Sequence, residues 1–141
     1  MNRSPRSRAR ELVLQGLYAL EVGGGEPDDI AARVVVDEEL DLTSINFARH
    51  LFHEVLRSRE WTDRAISELA HNWRLERIAV IDQIVLRMAM TELRTMPDVP
   101  VKVVLNEAIE LVKQYSTAES SGFVNGILDA FLKIETGPKP V

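Results

Sequence analysis

Apolar residues in this 141-residue chain recur at intervals of three and four from Ala9 to Phe131, and that spacing constrains the fold more than any other feature. A helix returns positions i, i+3, i+4, i+7 and i+8 to one face. Ala9, Leu12, Val13, Gly16, Leu17 and Leu20 form such a stripe. Ser4-Pro5 opens this first helix, with a side-chain oxygen for capping and a proline where the N–H has no helical partner anyway. Gly23-Gly24-Gly25 ends it. A short second helix is predicted from Pro27, and a third from Thr43-Ser44 with Ala48, Leu51, Phe52, Val55 and Leu56 inward. The fourth carries Trp61, Ile66, Leu69, Ala70 and Trp73. The fifth, Glu76 to Thr95, is apolar on several sides (Ile78, Ile81, Ile84, Val85, Met88, Ala89), which predicts a central position. Pro100 starts a sixth, with Val104, Ala108, Leu111, Val112 and Tyr115 inward. A seventh follows Ser120-Ser121, with Val124, Ile127, Leu128 and Phe131 inward, and the tail TGPKPV reads as loose.

No run alternates in twos, and Pro and Gly fall between helical segments instead of at hairpin spacing. The predicted fold class is therefore all-α, with two small helical subdomains, residues 1–59 and 60–141, sharing one body. Gly16 and Gly126 are expected at close helix approaches, since glycine inside a helix is otherwise unfavourable. Asn106 and Asn125 are expected to satisfy backbone groups at such crossings.

Cysteine is absent, which excludes disulfides, thiolate chemistry and zinc–cysteine sites. Apolar stretches are only a few residues long, and MNRSPRSRAR lacks the apolar core of a signal peptide, so a soluble, cytoplasmic protein without membrane association is expected. His50 and His53 stand one turn apart in HLFHE, but the order matches neither common zinc-helix pattern and a third ligand is not evident. No nucleophile elbow, phosphate-binding loop or dinucleotide fingerprint occurs. The expectation is a protein that is not an enzyme and uses no cofactor or metal.

The net charge is −5, which by itself argues against a nucleic-acid partner. Its distribution argues the other way, because the first ten residues hold Arg3, Arg6, Arg8 and Arg10 with no acid. Cations at a helix N-terminus add to the unpaired N–H groups and positive dipole end there, a combination suited to phosphate. The competing reading is a solvated terminus whose charges aid solubility.

Three stretches, RARELVLQGLYALE (8–21), RIAVIDQIVLRMAMTEL (77–93) and DVPVKVVLNEAIELVKQYSTAESSGFVNGILD (98–129), resemble the NusB family of transcription antitermination factors. The resemblance covers most of the chain and leaves out residues 22–60. It implies a seven-helix NusB-like fold, with the first three helices against the last four. The implied function is binding of single-stranded boxA RNA in nascent ribosomal RNA leaders together with NusE, a small-subunit ribosomal protein. The assembly joins the RNA polymerase elongation complex with other Nus factors and supports processive elongation. NusB-like domains also occur fused to a ribosomal-RNA methyltransferase domain; a chain ending at Val141 is expected to be a freestanding factor.

By this resemblance Arg6, Arg8 and Arg10 contact RNA, with Ser7 at a position often basic in relatives. Phe123 would stack on a base, against the reading that it is a core side chain; relatives often carry lysine where Gly122 stands. Gln15 and Tyr18 are weaker RNA candidates, Tyr18 also reading as a packed ring with a wet hydroxyl. Glu76 and Asp82 match positions that face NusE, where acids complement a basic partner; the competing reading has Glu76 assisting a helix start and Asp82 on a solvated edge. The alternative function is a helical protein-interaction module, or a homodimer, without direct RNA binding.

Overall fold

The computed structural model describes residues 4–71 and 74–136. It contains α1 (Pro5–Gly23), α2 (Pro27–Val34), α3 (Leu42–Arg57), α4 (Arg59–Leu69), a 3-10 turn (Leu75–Arg77), α5 (Val80–Thr95), α6 (Val101–Tyr115) and α7 (Ala118–Thr136). No strand occurs among the described residues. The chain divides into two compact units, residues 1–57 and 58–141. Trp73 and the tail from Gly137 onward lie outside the described residues. No helix among those described is long and apolar enough to cross a membrane.

In the first unit, the Ser4 hydroxyl accepts the Ser7 N–H at 3.1 Å and Pro5 occupies the first turn, so both opening signals operate at α1. At the other end Gly24 turns left-handed (φ 71°) and its N–H returns to Leu20 O at 2.9 Å, closing the helix. The α1 stripe packs chiefly on α3, with Leu12, Val13 and Leu17 buried against an apolar set that includes Leu51, Phe52 and Val55. Each such side chain contributes about 1.5–3 kcal/mol on burial. Gly16 sits at the tightest point: a Cβ there would lie 2.8 Å from Val35 Cγ2 and 3.2 Å from the Phe52 ring. α3 begins at Leu42, one residue ahead of Thr43, because the Asp41 carboxylate accepts the Ser44 N–H and caps the helix.

The second unit is built around α5, which is buried without a break from Asp82 to Glu92 and packs on α4, α6 and α7. Ile84, Val85, Leu86 and Met90 meet a core that includes Ile66, Val104, Val112, Leu128 and Phe131. Such full burial brings polar groups inside, and the largest of them, Arg87, is matched. Arg87 Nε donates to Asp63 of α4 at 2.6 Å and its Nη2 to Gln83 Oε1 at 3.2 Å.

α5 starts at Val80, whereas the periodicity placed its start at Glu76. Gln83 explains the difference. Its amide donates to Leu75 O at 2.9 Å and Ile78 O at 2.7 Å, so carbonyls that would feed a continuous helix are taken by a side chain, and Ala79 is extended. Similarly α7 begins at Ala118, before Ser120-Ser121, because the Thr117 hydroxyl accepts the Ser120 N–H. Two glycine and asparagine expectations are overturned. A Cβ on Gly126 would meet nothing within 4 Å, and Asn106 and Asn125 are exposed, so none of the three serves a close helix crossing.

Candidate nucleic-acid interface

The arginines of α1 share a sign and little else. Arg6 is exposed, with its Cζ 4.2 Å from the centroid of the Phe47 ring on α3. Arg10, one turn on, approaches the same ring at 5.1 Å but is only 3% exposed. Arg8 is half-buried and donates through Nε to Asp37 Oδ2 at 2.9 Å and through Nη1 to Glu11. The hydrogen bond to Asp37 raises the Arg8 pKa beyond its already high ordinary value, and the reciprocal bond holds the Asp37 carboxyl below the usual carboxylate range. Asp41 is likewise held low, first by its hydrogen bond with Ser44, with a smaller contribution from the Arg6 charge. An acidic segment, Asp37 to Asp41, thus stands beside the first turns of α1. Further along α1, Gln15 is half-buried and Tyr18 is 42% exposed.

The remaining predicted residues lie in the second unit. Glu76 and Arg77 are exposed on the 3-10 turn that Gln83 fastens to α5. Asp82, in the first turn of α5, is not on a solvated edge: it is 5% exposed. Its Oδ2 accepts the Ser120 hydroxyl at 2.7 Å, while Oδ1 is buried without a hydrogen-bond partner. Asp82 forms part of the wall of a cleft of about 280 Å³, with Arg77, Ile78, Ala79, Ser120 and Phe123 around it. Phe123 is half-buried and belongs also to a second cleft of about 420 Å³, lined by Leu69, His71, Gly122, Gly126 and Ile127. His71 stands in the left-handed region (φ 35°) just past the end of α4, a conformation that strains a residue with a Cβ.

An aromatic wall beside an exposed arginine suits a base and its phosphate. The exposed acids Glu119, which lines the first cleft, and Glu76, next to Arg77 in sequence, suit a basic protein. No group of three or more metal-ligating side chains occurs among the described residues, and the His53 ring lies 3.7 Å from Asp28. Sequence reasoning missed Phe47, Asp37, Gln83 and Ser120. Phe47 flanks the inward stripe of α3 by one position, the only mark of its role in the sequence; the others act through contacts with residues up to 38 positions away.

The family model described as NusB family matches residues 7–133. A transcription antitermination protein NusB of Salinibacter ruber is 46% identical over 132 residues, covering 92% of this chain and 81% of that protein. The solved structure of T. maritima NusB is similar at a TM-score of 0.85 with 34% identity, covering 94% of this chain and 93% of that one. A further similarity, at a TM-score of 0.83 and 24% identity over 92% of this chain and 97% of the other, is to the antitermination factors NusB and NusE solved in complex with double-stranded RNA; at that identity it concerns the fold alone.

Proposed function

Because the chain belongs to the NusB family, we propose that it acts in transcription antitermination by binding boxA-type single-stranded RNA of nascent ribosomal RNA leaders jointly with NusE, in support of processive elongation by RNA polymerase. The observation that carries this reading is the exposed Arg6 at the start of α1 in a chain otherwise rich in acid. Arg8, engaged by Asp37 and Glu11, and the buried Arg10 add positive charge to the same helix end, Gln15 and Tyr18 are further candidates along α1, and Phe123 offers its ring to a base. The exposed Glu76 presents the negative charge that a basic ribosomal protein would meet, and Asp82 lines the cleft that its neighbour Arg77 also borders.

Titration of a labelled single-stranded boxA RNA with the full chain, with and without NusE, tests the reading. Joint tightening is the expected result. Absence of RNA binding in both conditions would leave a protein-interaction module, or a homodimer, in its place. That second reading has one observation in its favour: Arg8 is already engaged by two carboxylates.

A further inference from the structure

We infer that Phe47 is a positioning residue for RNA binding, a ring on α3 that holds the Arg6 guanidinium of α1 in place for a phosphodiester. The inference rests on the RNA reading above and adds to it a residue outside the stretches that carry the family resemblance. Two guanidinium groups one turn apart on a helix repel each other. Here both lie over a single ring, Arg6 at 4.2 Å and Arg10 at 5.1 Å from its centroid. The negative face of an aromatic quadrupole attracts cations at these distances, so one ring offsets the repulsion of the pair.

The two arginines differ in what they retain for a ligand. Arg10 is buried and has a further interaction besides the ring, so its charge is committed. Arg6 is exposed. A guanidinium held over a ring by its central carbon keeps its N–H donors in its own plane, free to meet phosphate oxygens. Phe47 itself is half-buried, which fixes the ring before any strand arrives. A long, flexible side chain that is already confined gives up less freedom when it binds, and affinity rises by that amount. The nearby anion, Asp41, caps α3 through the Ser44 N–H and draws Arg6 toward the same edge of the unit.

The test uses the full chain and a labelled single-stranded boxA RNA, with NusE present and absent. Phe47→Leu keeps the apolar bulk and removes the quadrupole. It should weaken RNA binding about two- to fivefold, the span expected of an exposed cation–π contact. Phe47→Trp should restore binding to the wild-type level or above, since indole is the strongest partner for a cation. In an Arg6→Ala background, Phe47→Leu should add no further loss. The Arg6 side-chain resonances should show a ring-current shift that Phe47→Leu abolishes, a readout that stands even if RNA binding does not.

If Arg6→Ala weakens binding while Phe47→Leu leaves it unchanged, the positioning role is wrong and the RNA reading survives. If Arg6→Ala binds as tightly as wild type, the RNA reading of Arg6 itself fails. Equal losses for Leu and Trp at position 47, accompanied by a lower melting temperature, would reduce Phe47 to a core side chain and overturn the inference.

Discussion

Arg6, Arg8 and Arg10 carry one charge each within two turns of α1, and the three environments they occupy set what each can do. Exposure decides first. Arg6→Ala should flatten the log–log salt dependence of RNA binding by about 0.7, the loss of one single-strand phosphate contact, in titrations at several salt concentrations. Arg10→Ala should instead lower the unfolding midpoint in denaturant, because its side chain is buried, with the guanidinium over Phe47. The same logic applies to Asp82. Reversing its charge would bury a cation, so a test of partner binding belongs on the exposed Glu76, whereas Asp82→Ala should destabilise by about 0.5–1.5 kcal/mol by removing one buried hydrogen bond, the Ser116 and Thr117 hydroxyls remaining within reach of Ser120. The identities of these residues were legible in the family resemblance. Their burial was not, because burial of Arg10 and Asp82 depends on Phe47 and Ser120, which lie 37 and 38 positions away.

Helices follow from period and caps, and their ends from single side chains. Six helical segments were readable from apolar spacing, since a 3.6-residue repeat survives whatever the helix packs against, and the short second one from its Pro27 start. The start of α5 was not, because a glutamine three residues inside the helix reaches back and closes a separate turn. The glycines give a paired prediction. Gly16→Ala should destabilise by about 1–3 kcal/mol, since its Cβ would meet Val35 at 2.8 Å, whereas Gly126→Ala should stabilise by about 0.5–1 kcal/mol, since helix propensity improves and nothing stands in the way. Thermal melts of the two variants decide it.

The segment joining α2 to α3 adds a pH dependence. Asp37 has a lower pKa folded than unfolded, so it supports the fold fully above its ordinary value of 3.8 and loses that support as pH falls through the lower folded value. Asp41 adds to the effect in the same direction. Below about pH 4 the wild-type melting temperature should therefore drop, and Asp37→Asn should melt earlier at neutral pH with a smaller drop on acidification.

For the molecule as a whole, charge is the governing quantity. A chain of net charge −5 repels a polyanion except where arginines are concentrated, so RNA lacking a boxA element should bind weakly even at low salt, in a competition titration against boxA RNA. Fold class was readable at this scale because strand alternation is nowhere present among the described residues. The clefts of the second unit were not, since they are bounded by residues from α4, the 3-10 turn, α5 and α7 that only tertiary packing assembles. One side chain, Phe123, lines both of those clefts. A substitution at this position therefore reshapes both recesses together, and neither can be altered through Phe123 alone.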